Sequence, residues 1–194
     1  MKPTLPLPIR LSASARPALE AHFLSLAPED RRLRFGSALG DELVREYAGR
    51  LDFERDAFFA VTDAEFAIAG VVHVACMGRS SELGVSVVEG ARGRGIGNAL
   101  FARAVIHLRN RGVRTVHMHC LSENGAMMHL ARKNGMRIVY DGGESQAQLA
   151  LDAPTPGSYL TEWVGEQRAH SAESEKRSAR LARGLLTLFA TPAP

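Results

Sequence analysis

Between Glu82 and Gly97 the chain reads E-L-G-V-S-V-V-E-G-A-R-G-R-G-I-G, and these residue types are suited to holding an anion. A β-branched strand, Leu83 to Val88, runs into the glycine-rich turn Arg92-Gly93-Arg94-Gly95-Ile96-Gly97, and an apolar-periodic helix begins at once. Glycines let the backbone approach a ligand closely and take up φ > 0, so several N–H groups can converge on one oxyanion. The helix start adds partial positive charge, and Arg92 and Arg94 add full charges. The combination predicts a pyrophosphate cradle.

Other phosphate loops fit less well. A dinucleotide fingerprint G-x-G-x-x-G would need glycine where Asn98 stands, with an acidic residue about 20 positions on, and neither is present. Gly90 and Gly95 have P-loop spacing, but Ile96 and Gly97 replace its Lys and hydroxyl.

Downstream, Ile96, Leu100, Phe101, Ala104, Val105 and Leu108 recur at helical spacing, and Gly112 closes that helix. A strand, Thr115 to Leu121, follows. Ser122-Glu123-Asn124 then reads as the start of a short helix that stops at Asn134-Gly135.

The Arg-x-x-Gly-x-Gly turn after an E-x-G-x-x-V strand resembles the coenzyme A loop of the GNAT N-acetyltransferase superfamily. The second segment resembles the family pattern N-x-x-A-x-x-L-Y-x-K-x-G-F, with Asn124, Leu130, Lys133 and Gly135 on matching positions and Met136 in place of the aromatic. The resemblance implies acetyl-CoA or coenzyme A as cofactor. Val87, Val88, Arg92, Gly93, Arg94, Gly95, Ile96, Gly97, Asn98 and Asn124 would be its contacts, Asn124 reaching the pantetheine arm. It also implies direct acetyl transfer to a primary amine, of a small molecule or of a protein or peptide, in a ternary complex. Glu82 matches a frequent general-base position, often acting through water; an ion pair with a nearby Arg is its structural alternative. His119, on a strand face with His117 and Leu121, is the secondary acid/base candidate. The tyrosine that protonates the leaving thiolate in many members is Ala131 here, with Ser122 and His129 as weaker replacements. A catalytically weak acyl-CoA sensor or partner-binding module is therefore the rival reading.

Composition sets the outer bounds. The 194 residues, 45% hydrophobic, suffice for one buried domain and a modest appendage. Cys76 and Cys120 lie in apolar strand patterns as free thiols, and no metal-ligand spacing links them to His117 or His119. No apolar run approaches the roughly 18 residues of a membrane span, and Met1-Lys2-Pro3-Thr4-Leu5-Pro6 lacks a signal-peptide core, so a cytoplasmic protein without membrane association is expected. Residues 92–137 hold nine Lys or Arg against the single acid Glu123. The charge suits the phosphates of coenzyme A, and without stacking aromatics it does not suggest nucleic acid.

The elements that must position these residues are a first strand, Leu5 to Leu11, edged by Pro6 and Pro8; a helix opened by Pro17 and running through Leu26; a helical stretch Pro28 to Phe35; and a helix Asp41 to Arg50. Strands Ala57 to Thr62 and Glu65 to Cys76 follow across an Asp63-Ala64 turn. The last pair, Met136 to Tyr140 and Gln146 to Leu151, meets across Asp141-Gly142-Gly143. The order β-α-α-β-β-β-α-β-α-β-β is that of an α/β GNAT-type acyl-CoA N-acyltransferase fold with a mixed sheet, here with an added C-terminal helical tail. Residues 1–153 are expected to form the acetyltransferase domain and 154–194 the extension.

The run Leu26 to Phe35 is similar to the opening of acetyltransferase domains in bacterial protein-lysine acetyltransferases. Its Arg31, Arg32 and Arg34 either meet an acidic acceptor or form a solvated face over a buried Leu33 and Phe35. In the extension, Ser158 is a candidate cap for a helix with Leu160, Trp163 and Val164 on one face, and Leu181, Leu185, Leu188 and Phe189 form a second stripe. These stripes suit packing on the domain or on a second copy, as in a homodimer, better than a membrane.

Overall fold

The computed structural model describes residues 6–189, with side chains as far as Arg183. The chain builds β1 (Ile9–Arg10), α1 (Arg16–Ser25), α2 (Pro28–Phe35), α3 (Asp41–Arg50), β2 (Ala57–Thr62), β3 (Ile68–Met77), β4 (Ser80–Val87), α4 (Ile96–Asn110), β5 (Thr115–Leu121), α5 (Gly125–Lys133), β6 (Arg137–Asp141), β7 (Glu144–Ala150) and α6 (Pro156–Phe189). The seven strands lie in the order β1-β2-β3-β4-β5-β7-β6, and the only parallel neighbours among them are β4 and β5. α3 is the helix expected at Asp41 to Arg50, and with α1 and α2 it makes three helices before β2, where the compressed element order counts two.

Two apolar layers hold the sheet between helices. On one face Leu19 and Phe23 of α1 and Val44 of α3 meet Phe58, Ala60 and Val71 of β2 and β3. On the other, Leu100, Phe101, Ala104 and Leu108 of α4 and Leu130 and Ala131 of α5 meet Val72, Val74, Leu83, Val85, Val116 and Met118. The helical spacing of the α4 residues and the alternation along β3 and β4 are what place those side chains inward.

Several element bounds differ from expectation for local reasons. β1 is two residues long because Pro6 and Pro8 have no N–H to give a ladder; Leu5 lies outside the described residues. Residues 63–67 form a wider turn than Asp63-Ala64, since the Asp63 carboxylate accepts from the amides of Glu65 (2.8 Å) and Ala67 (3.0 Å). β4 begins at Ser80, ahead of the β-branched run, so Glu82 sits inside the strand.

The extension departs furthest. It is one helix, α6, capped by Thr155: the Ser158 amide donates to the Thr155 hydroxyl (3.2 Å) and the Thr155 amide to the Ser158 hydroxyl (3.0 Å), so Ser158 answers a cap and is not itself one. Leu160 and Trp163 face solvent, 60% and 58% exposed, and the docking onto α4 is polar. Arg103 of α4 bridges Glu162 (2.9 Å) and Glu166 (2.5 Å), and His107 and Asn110 also donate to Glu162 (2.9 and 2.7 Å). Part of the basic excess of residues 92–137 is thus spent inside the protein. Of the second stripe, the side chains of Leu185, Leu188 and Phe189 lie outside the described residues. Among the described residues no helix is long and apolar enough to cross a membrane.

Candidate active site

The sheet opens where the sequence places its chemistry. β4 pairs with β5 only over Ser80–Glu82 against Thr115–His117; beyond that, β4 stays with β3 and β5 with β7. The two strands part like a fork, and α2 lies across it. Arg32 joins α2 to Glu123 after β5 (2.7 Å), Asn124 donates to the Leu33 carbonyl (3.3 Å), and Asp30 holds Arg92 (2.6 Å).

Under this roof runs a cleft of about 490 Å³. Val85, Ser86 and Val87 of the opened β4 form its floor. Arg92, Gly93, Gly95, Ile96, Gly97 and Asn98 line one end, and Asn124, Met127, His129 and Lys133 line its α5 side. Gly93 (φ 73°) and Gly95 (φ 77°) are left-handed, a conformation that turns the chain sharply into α4 and that side chains disfavour. The first backbone bond of α4 runs from the Ala99 amide to the Gly95 carbonyl (3.0 Å). Among the described residues none of the amides from Gly93 to Asn98 donates to a backbone carbonyl. Those amides, at a helix N-terminus, fit a phosphate.

The predicted contacts divide. Val87, Arg92, Gly93, Gly95, Ile96, Gly97, Asn98 and Asn124 line the cleft. Val88 does not: its amide donates to the Ala69 carbonyl (3.0 Å) and its side chain packs into the interior. Arg94 is exposed outside the lining. Asn124 is buried as the cap of α5, accepting from the Met127 amide (3.1 Å) while donating to Leu33, so much of its amide is already engaged.

Glu82 and His119 come together at the crotch of the fork, outside the cleft lining. His119 Nδ1 is 3.4 Å from Glu82 Oε1, and both side chains are nearly half exposed. The burial anticipated for Glu82 is therefore absent. No Arg approaches it within ion-pair distance among the described residues; its neighbour is the histidine. His117 stacks beside His119, ring centroids 6.3 Å apart. Position 131 belongs to the core and not to the cleft, since Ala131 is fully buried. Of the suggested replacements, Ser122 is bonded to the Ser145 hydroxyl (2.7 Å), whereas His129 lines the cleft. Cys76 and Cys120 are free and half-buried, with burial pushing both thiols up, and no group of His, Cys, Asp and Glu fit to hold a metal occurs among the described residues.

Sequence reasoning missed Ser86 and its partner. The ring of His22, buried beneath the floor, donates from Nδ1 to the Ile68 carbonyl (2.8 Å); a carbonyl only accepts, so Nε2 must accept from the Ser86 hydroxyl (2.8 Å). Burial lowers the His22 pKa to about 4 against the raising effect of that carbonyl, so the ring is neutral near pH 7. A lone helix histidine 64 residues from its serine carries no sequence signal for such a pair.

The family model described as the acetyltransferase (GNAT) family matches residues 29–136, more than half of the chain. The fork, the loop and this match agree: the chain belongs to the GNAT acetyltransferase family. Among solved structures it is similar to the GNAT domain of S. lividans PAT (18% identity, 74% of this chain and 89% of that one, TM-score 0.64). It is also similar to a ribosomal-protein-alanine N-acetyltransferase from Brucella melitensis (20%, 75% and 99%, 0.57) and to a spermidine N-acetyltransferase from Vibrio cholerae in complex with CoA and spermine (17%, 79% and 98%, 0.58). At these identities the likeness is one of fold. No curated protein sequence matches the chain significantly.

Proposed function

We propose that the protein is an acetyl-CoA-dependent N-acetyltransferase that acetylates a primary amine, on a small molecule or a peptide, by direct transfer in a ternary complex. The observation that carries this is the fork: β4 and β5 stop pairing after Glu82 and His117, beside a helix start whose amides have no backbone acceptor among the described residues. Acetyl-CoA would supply the activated acyl group as a thioester. The amides of residues 93–98, with Arg92 at the rim, would hold its phosphates, and β4 from Val85 to Val87 would align the pantetheine arm. Glu82, with His119 behind it, accepts the amine's proton directly or through water, so that a neutral nitrogen attacks. The carbon–sulfur bond then breaks and the thiolate takes a proton. His129 and Ser86 are the cleft-lining side chains positioned to be tested for that last transfer.

In this reading residues 1–153 are the catalytic domain of a cytoplasmic enzyme, and 154–194 an extension fastened to it through Glu162. A second reading, a catalytically weak acyl-CoA-binding module, is favoured by one observation: among the described residues, those lining the cleft include no tyrosine. Thiol release from acetyl-CoA, screened against amino acids, polyamines, aminoglycosides and peptides, tests the first reading. Binding of acetyl-CoA without thiol release by any of them would support the second.

A further inference from the structure

The three arginines of α2 differ in what they meet. Arg31 donates to the carbonyls of Leu24 (2.6 Å) and Leu26 (3.1 Å) and pairs with Asp41 (2.6 Å). Arg32 is held between Glu29 and Glu123, each at 2.7 Å. Arg34 has no carboxylate within ion-pair distance among the described residues, yet it lines the cleft. It gives one hydrogen bond, to the Tyr47 hydroxyl (3.3 Å), and its Nε is buried without a partner. The guanidinium lies 5.1 Å from the ring centroid of Phe35 and 5.9 Å from that of Phe23.

Tyr47 cannot supply the missing charge. Its hydroxyl donates onward to His73 Nδ1 (3.0 Å), because His73 uses Nε2–H for Asp56 (2.9 Å), and Asp56 is already bonded to Arg55 (2.9 and 3.0 Å). Space for Arg34 is provided on β4: a Cβ built at Gly84 would come within 2.5 Å of Arg34 Cζ, so only glycine there lets the guanidinium rest on the strand. Gly84 and Glu82 point to the same face, two residues apart, a spacing of roughly 7 Å.

A guanidinium has five donors in a planar fork that matches a carboxylate, and a partly desolvated cation is costly without an anion. We infer that Arg34 seats a carboxylate of the acceptor, so that the acceptor is an amine bearing a carboxylate several bonds from the reacting nitrogen, which Glu82 serves. This rests on the transferase reading above and narrows its substrate class.

The test compares 6-aminohexanoate with 6-aminohexanamide as acceptors, by thiol release with acetyl-CoA, in the wild type, Arg34→Gln and Arg34→Lys. In the wild type the carboxylate should be preferred by about 10²-fold in kcat/KM. Arg34→Gln should collapse the preference, and Arg34→Lys should restore part of it. Equal losses for both acceptors, or a preference that survives Arg34→Gln, would overturn the inference. So would a carboxylate preference found only on the acyl side, with succinyl-CoA outpacing butyryl-CoA on a neutral amine. Calorimetry of 6-aminohexanoate with the coenzyme A-saturated protein keeps the two readings apart. If no amine releases thiol but the carboxylate binds and Arg34→Gln abolishes binding, the transferase reading fails and the carboxylate seat stands; no binding and no preference removes the seat. Circular dichroism checks that each variant is folded.

Discussion

His119 Nδ1 and Glu82 Oε1 stand 3.4 Å apart at the point where β4 and β5 separate. The two come from strands paired in parallel at Glu82 and His117, so the last shared rung of the ladder fixes their meeting. In the transferase reading, this carboxylate beside an imidazole, both nearly half exposed, would receive the proton of the incoming amine.

Glu82→Gln should lower thiol release at neutral pH by about 10²–10⁴-fold with an accepted amine, while coenzyme A affinity stays nearly constant. Raising the pH should recover part of the loss, because more of the amine arrives neutral. His119→Ala should cost less, and little beyond Glu82→Gln in the double variant, since both act on one proton. Full turnover in Glu82→Gln across the pH range would make the pair structural.

The cradle at α4 is tested by binding. Coenzyme A at 100 times its Kd should stabilise the fold by about 2.7 kcal/mol, visible as a raised melting temperature. Gly95→Val forces a β-branched residue to φ 77° at a position where a Cβ meets nothing within 4 Å, so its effect should fall on loop geometry and affinity. Arg92→Ala should weaken binding more at low than at high ionic strength, and it also frees Asp30 of α2. A melting curve unmoved by saturating coenzyme A would mean that the cofactor does not bind, and normal affinity in a folded Gly95→Val would place the phosphates elsewhere.

The sequence carried the order of strands and helices and the anion loop, because glycine spacing and apolar periodicity are local. It also placed Glu82 and His119 as candidates without showing that they meet, a fact that depends on where β4 and β5 stop pairing. Val88 read as a cofactor contact by adjacency, whereas the strand's last bond, to Ala69, turns it inward. The helical tail was legible in the sequence, but the face by which it docks on the domain was not, for a physical reason. An apolar stripe at Leu160 and Trp163 suggested the buried face, but the partner surface on α4 presents Arg103, His107 and Asn110, and complementary charge decided the orientation.

That polar seam should be worth more than its exposed counterparts. Arg103 is 7% exposed and its Nε has no partner, so Glu162→Ala strips a nearly buried cation of one of its two carboxylates. A loss on the order of 3 kcal/mol is expected in urea unfolding, against less than 1 kcal/mol for Glu65→Ala, whose pair with Arg180 is open to solvent. A Glu162→Ala variant as stable as the wild type would show that α6 is held by other contacts.

Acid should weaken the fold in two steps of the same sign. Burial lowers the pKa of His22 to about 4, and it lowers those of His73 and His107 despite their partners Asp56 and Glu162. Below about pH 6.5 the unfolded chain takes up protons that these rings refuse, so stability is full above that pH and falls as the pH drops toward the folded values. For His22 alone the loss approaches about 1.4 kcal/mol per pH unit between pH 6 and 4. Glu162 then adds to it: burial by itself would raise this carboxyl, but His107, Asn110 and Arg103 hold it at about 2, so its contribution is present above pH 4.5 and is lost as the pH falls toward 2. His22→Gln keeps a donor for Ile68 and an acceptor for Ser86 without a titrating ring. It should therefore flatten the upper step, measured as urea stability between pH 7 and 4, and leave the lower one. An unchanged slope in His22→Gln would mean that His73 and His107 carry the upper step between them.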